Sequence, residues 1–166
     1  MRHGGLDRRA FSVTMAAGLA LSALGVSPAV AAETALPVPT SLPGAAALAA
    51  GRGEPLVLLV SLPGCPYCEL VRRSYLLPGR RESGLQAWQV DSTNATTPLI
   101  SFDGKTSTAA AQVKLWKATF TPTVLFLGPQ GQELALRLVG AGIPDFYGAY
   151  LDERLDTARK AVLALR

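Results

Sequence analysis

Leu56-Val57-Leu58-Leu59-Val60 runs by way of Ser61-Leu62-Pro63-Gly64 into Cys65-Pro66-Tyr67-Cys68. The opening apolar run, bounded by turn-forming residues, is the pattern of a central strand buried on both faces. The last four residues hold the only two cysteines of the 166-residue chain, placed where that strand turns into a helix. A C-x-x-C pair at such a turn reads as a redox dithiol. Only a thiolate attacks a disulfide, and a helix N-terminus stabilises that anion with its unpaired N–H groups and positive dipole end. Cys65 falls where that field is strongest. Pro66 suits the first helical position, where its missing N–H costs nothing and its fixed φ is already helical. Cys68, one turn further on, is close enough to close a ring with Cys65 but more buried. Cys65 is therefore expected to attack and form a mixed disulfide, and Cys68 to resolve it.

Two other readings compete. Half of a structural zinc site would need two further Cys or His ligands, but there is no other cysteine and the one histidine is His3. No metal is therefore expected. An inert structural disulfide is the second alternative, and a bridge closing so short a loop removes little unfolded-state entropy.

Residues 1–31 have the three parts of an export signal: Arg2, Arg8 and Arg9 at the start, an apolar stretch from Phe11 to Val26, and the cleavage pattern Ala29-Val30-Ala31. Asp7-Arg8-Arg9-Ala10-Phe11 resembles the twin-arginine motif, which implies bacterial export of a folded protein. Asp7 departs from the Ser or Thr usual at its first position. An uncleaved membrane anchor is the alternative, since the stretch is nearly long enough to span a bilayer; its small residues and the A-x-A pattern favour cleavage. Without the leader, thirteen basic residues face eleven acidic ones. A net charge of +2 gives no footprint for nucleic acid or an anionic membrane. The one basic concentration, Arg72-Arg73 and Arg80-Arg81, is either a solvated helix end or a docking patch for an acidic partner.

The remaining chain suffices for one domain with its own core. Residues 32–53 read as a linker with a short helix around Ala45 to Ala50, and 54–166 as the domain. Within the domain the spacing predicts a strand over Leu56–Leu62 and a helix over Tyr67–Leu77 ended by Pro78-Gly79. A strand follows over Gln86–Asp91 and a helix over Thr108–Thr119 with Val113, Leu115 and Trp116 inward. Strands over Thr123–Leu127 and Glu133–Val139 form a hairpin about Gly128–Gly131. A last helix, from about Pro144 to Leu165, carries an apolar stripe of Ile143, Phe146, Tyr147, Tyr150, Leu151, Leu155, Ala158 and Val162. Ser92 to Ser107 is long for a connection: a partner-selecting flap, or a surface hairpin turning at Asp103-Gly104.

Alternating strands and helices ending in a hairpin and a helix describe an α/β sandwich about a small mixed sheet. The element order, the C-x-x-C at the first strand-to-helix turn and Thr121-Pro122-Thr123 opening a later strand together resemble the thioredoxin fold. Within that superfamily, Pro63-Gly64-Cys65-Pro66-Tyr67-Cys68, Phe102-Asp103-Gly104 and the Thr-Pro-Thr strand are similar to exported bacterial thioredoxin-like proteins of the SoxW-related kind. The resemblance implies that Pro122 is cis and lies against the dithiol. It implies that Thr121 offers its backbone to an extended substrate, and that Gly140, followed by Ala141, lets backbone approach the same groove. Pro66 and Tyr67 would support the site from within the motif.

Two features depart from the family. Leu59 stands where thioredoxins carry a buried acid, and Pro63-Gly64 replaces the usual tryptophan segment. Glu69, beside Cys68, is read as an exposed first-turn acid favoured by the helix dipole.

The function expected is a periplasmic thiol-disulfide oxidoreductase, monomeric and without a cofactor. It would reduce disulfides of other exported proteins with electrons from a membrane donor. A disulfide-forming oxidant or isomerase of the same fold is the alternative, since Pro66-Tyr67 is the glutaredoxin-type dipeptide. From another class come a non-catalytic peptide-binding module and a copper handler using the two thiolates. Against copper, both methionines, Met1 and Met15, lie in the leader.

Overall fold

The computed structural model describes residues 34–142 and 144–165; the expected export signal with its A-x-A pattern, His3 and Ile143 lie outside the described residues. The elements run α1 (Leu42–Gly51), β1 (Leu56–Ser61), α2 (Pro66–Val71), a π-helical turn (Arg72–Leu76), α3 (Leu77–Ser83), β2 (Ala87–Asp91), β3 (Leu99–Ile100), β4 (Thr106–Ser107), α4 (Ala109–Leu115), β5 (Thr123–Leu127), β6 (Leu138–Val139) and α5 (Pro144–Ala164). The main sheet has the order β2-β1-β5-β6. β1 is parallel to β2 and antiparallel to β5, which is antiparallel to β6. This is the mixed sheet between helices that the resemblance implies.

All six residues of β1 and all five of β5 are buried, as their continuous apolar runs require. Alternation sorts their side chains into two cores. Val57, Leu59, Val124 and Phe126 face a core closed by Val71, Leu76 and Leu77 and by the α5 stripe. Leu56, Leu58, Val60, Leu125 and Leu127 face one closed by α1 and α4. Residues 34–41 lie along the domain rather than running free: Leu36 is buried, Pro37 O accepts the Gln89 amide at 2.9 Å, and Thr40 O accepts that of Ile100 at 2.9 Å.

Four expectations need correction. The helix after the dithiol continues past Pro78-Gly79 and ends at Gly84, whose φ of 70° is left-handed. A proline in a regular helix removes one i→i−4 bond and collides with that carbonyl. Here the preceding π turn, in which the Leu77 amide reaches Arg72 O, widens the helix just before Pro78. The strand expected over Glu133–Val139 pairs only at Leu138–Val139, with a separate bridge between Glu133 and Leu127. Val124 and Leu127 are three residues apart while their partners Leu138 and Glu133 are five apart, so the returning chain bulges. Arg137 occupies the bulge, donating to Trp116 O at 2.8 Å and pairing with Glu133.

On α4, Leu115 is exposed, because Ala109, Gln112 and Val113 form the inward face. On α5 the stripe is Tyr147, Leu151, Leu155, Ala158 and Val162, while Phe146 and Tyr150 fall to its flank and are exposed.

The long connection takes the hairpin alternative. β3 and β4 pair about Gly104 (φ 78°), and Asp103 Oδ1 accepts the Lys105 amide at 3.1 Å. The Phe102 ring covers Gly131 in the turn after β5, at the far end of the strand from Thr123. A Cβ on Gly131 would lie 2.5 Å from that ring, at a φ of 83° that already disfavours L residues. Gly131→Ala is expected to lower stability by about 2 kcal/mol or more, read as a fall of several degrees in Tm while dithiol exchange is kept.

Candidate active site

Ser61 ends β1, and the turn Leu62-Pro63-Gly64, with Gly64 at φ 72°, delivers the chain to Cys65. Cys65 is extended (φ −83°, ψ 110°) and is the N-cap of α2, with Pro66 in the first turn. Its sulfur accepts the Cys68 amide at 3.2 Å, the cap position a Ser or Asp oxygen would fill. One of the helix's otherwise unpaired N–H groups therefore points at the sulfur expected to carry negative charge. Cys65 and Cys68 are joined as a disulfide with Cα atoms 5.3 Å apart. Cys65 is half-buried and Cys68 fully buried, so an incoming thiol or disulfide reaches Cys65 first.

The register brings the second half of the site alongside. Val60, near the end of β1, pairs with Thr123 at the start of β5, and the cis Thr121–Pro122 peptide immediately precedes Thr123. Pro122 O accepts the Gly140 amide at 2.7 Å, and Gly140 has a φ of 75°. Tyr67, Phe120, Thr121, Pro122, Val139 and Gly140 line an open groove of about 400 Å³. Of the candidate site residues, Tyr67, Thr121, Pro122 and Gly140 thus line one groove, to which the C-x-x-C motif contributes Tyr67, while Cys65, Pro66 and Cys68 are not among its lining residues.

Phe120 and Val139 belong to no motif in the sequence. Both are exposed apolar side chains, Phe120 by 64%, and the Phe120 ring would lie 3.5 Å from a Cβ on Gly140. An aromatic residue two places before a proline in a loop is the trace they leave in the sequence. Gly140→Ala meets ordinary contact rather than a clash, so its cost comes from the left-handed backbone, about 1 kcal/mol. It should slow exchange with a peptide disulfide more than with a small disulfide that does not enter the groove.

Leu59 is fully buried on the sheet face that α2 covers, so no acid lies at that position. Glu69 is about half exposed and pairs with Arg72 and Arg73, as an exposed acid should. The hydrogen bond from Arg72 holds its carboxyl below the ordinary value, with Arg73 adding to the effect. A depressed folded-state pKa means this pairing stabilises the fold at neutral pH and is lost as pH falls through that pKa. Of the four arginines, Arg72 is turned inward and Arg80 donates to Ala87 O at 2.9 Å, while Arg73 and Arg81 are exposed.

A mixed sheet between helices, with a C-x-x-C disulfide capping the helix after the first strand and a cis proline just before the strand antiparallel to it, defines a thioredoxin-like domain with a disulfide-capable pair. Residues 42–154 match the family described as thioredoxin-like domain, and the chain belongs to that family. No curated protein sequence matches it. Among solved structures it is similar to a thioredoxin-fold protein from Helicobacter pylori. Identity is 16%, with 69% of this chain and 84% of that chain covered and a TM-score of 0.40.

Proposed function

We propose that the protein is an exported, periplasmic thiol-disulfide oxidoreductase that reduces disulfides in other exported proteins. The observation that carries this reading is the Cys68 amide on the Cys65 sulfur, with Cys65 accessible and Cys68 buried beside it. A membrane dithiol donor reduces the Cys65–Cys68 bond, and the cap stabilises the Cys65 thiolate that results. That thiolate attacks one sulfur of a client disulfide. A Cys65–client bond forms, the client S–S bond breaks, and the first client sulfur leaves as a thiolate. Cys68, deprotonated to water, then attacks the Cys65 sulfur and expels the second client thiolate, restoring the Cys65–Cys68 bond. Two electrons pass to the client, whose thiolates take up two protons. During this cycle the groove holds an extended client segment, with Thr121 presenting its backbone.

The leader residues 1–31 and the twin-arginine-like motif support export. The test is a turnover assay: the protein, kept reduced with dithiothreitol, is given a dye-labelled peptide disulfide. Multiple turnovers above the rate with dithiothreitol alone support the reading; a rate equal to that background overturns it.

A further inference from the structure

Cys65 caps the helix that carries Cys68 and Glu69, and Arg72 follows in the π turn that continues it, three residues after Glu69. The Arg72 side chain is only 11% exposed. Its guanidinium donates to Ser61 Oγ at 2.8 Å and Gln89 Oε1 at 2.7 Å, and pairs with Glu69. Ser61 is the last residue before the turn that carries Cys65, and Glu69 lies in the helix just after it. One side chain thus holds both ends of that turn. We propose that the Arg72–Glu69 pair is a positioning device that sets the thiolate character of Cys65 and hence the redox poise of the dithiol. This rests on the oxidoreductase reading above.

The charges around the dithiol are few. Leu62 and Pro63 of the turn line a cavity of about 200 Å³ with Glu69, Arg72 and Asp91. Asp91 is engaged by Thr93, whose amide and hydroxyl donate to it at 2.8 and 2.7 Å. Arg73 bonds Glu69 at 2.9 Å but is mostly exposed, where solvent screens it. On the opposite side, Tyr67 is the one titratable residue lining the groove. Arg72 is therefore the least screened charge near the motif, and Glu69 balances it. Removing Glu69 leaves the inward-turned guanidinium of Arg72 without its carboxylate, and removing Arg72 leaves Glu69 with only the exposed Arg73, so the two changes alter the charge on the helix that Cys65 caps in opposite directions.

The consequence is a pair of opposite shifts. Glu69→Gln leaves the guanidinium unbalanced, which favours the thiolate and the reduced form. Arg72→Gln leaves the carboxylate with only the exposed, screened Arg73, which favours the thiol and the disulfide. Each should change the thiol-thiolate equilibrium of Cys65 about threefold to tenfold, and the equilibrium with glutathione by a similar factor, ~15–30 mV. The double variant should return towards wild type, and Arg72→Lys, which keeps the charge, should stay closer to wild type than Arg72→Gln.

The experiment is a pH titration of thiolate ultraviolet absorbance on the chemically reduced protein and its variants. Opposite shifts are expected. Shifts in the same direction, or both under twofold, overturn the proposal, because loss of a merely structural clamp has no reason to reverse sign with charge. Glu69 is half exposed, so Glu69→Gln alone decides the matter if Arg72→Gln does not fold: its pKa for Cys65 must fall. Because the titration uses no redox partner, it reads the ion pair even if the wild type fails to exchange with glutathione, an outcome that would overturn the oxidoreductase function.

Discussion

Cys65→Ser is expected to abolish disulfide exchange, lowering turnover of a peptide disulfide by about 10³-fold or more, because the hydroxyl cannot form the mixed disulfide at all. The fold should survive, since serine is itself a favoured N-cap and can accept the Cys68 amide that the sulfur accepts now. Cys68→Ser should behave differently. The first attack still proceeds through Cys65, but nothing resolves it, so a covalent adduct accumulates that mass spectrometry can locate. A peptide-binding module would show neither behaviour and would bind peptide equally well with either substitution. Equal loss of trapping in both variants, or an adduct on Cys68 instead of Cys65, would contradict the assigned roles.

The largest expected effect on stability is at Phe126, on β5 and fully buried in the core closed by α2 and α5. Phe126→Ala removes a large apolar side chain and leaves a cavity between sheet and helices, costing about 3–5 kcal/mol. For a domain of this size that is a fall in Tm on the order of 10–20 °C. Phe120→Ala removes the same ring from an exposed position in the groove, and its stability should change by no more than about 0.5 kcal/mol. Thermal unfolding of the two variants side by side separates core from groove. The second variant should lose peptide exchange while keeping its Tm.

What the sequence discloses is what neighbouring residues decide. The buried strand, its Pro63-Gly64 turn and Cys65 at the helix start are local signals, and the structure places each within a residue of its expected position. The π turn before Pro78 is not local in that sense: a proline-glycine pair ordinarily ends a helix, and the chain passes through it on a π turn that buries Leu76 and Leu77 in the core. The bulge before β6 depends on a cross-strand register and on Arg137 reaching Trp116, twenty-one residues away. Hydrophobicity alone turns Leu115 inward, whereas the inward face includes Gln112, whose amide nitrogen donates to Ser107 Oγ at 3.0 Å. The Arg72 network joins residues eleven and seventeen positions apart, while a pair of arginines at a helix end reads locally as solvated charge. Tertiary partners, invisible to periodicity, decide all four.

Whether Cys65 and Cys68 form a redox dithiol is decided by their equilibrium against glutathione or dithiothreitol redox buffers, with free thiols trapped and counted. A redox dithiol should show one two-electron transition within the range of thiol-exchange proteins, roughly −120 to −270 mV. A midpoint near or below about −220 mV is expected of a reductant fed by a membrane donor; one near −120 mV would reverse the direction of electron flow. A pair that stays oxidised at potentials below about −300 mV would be a structural disulfide, and the protein would then be no oxidoreductase.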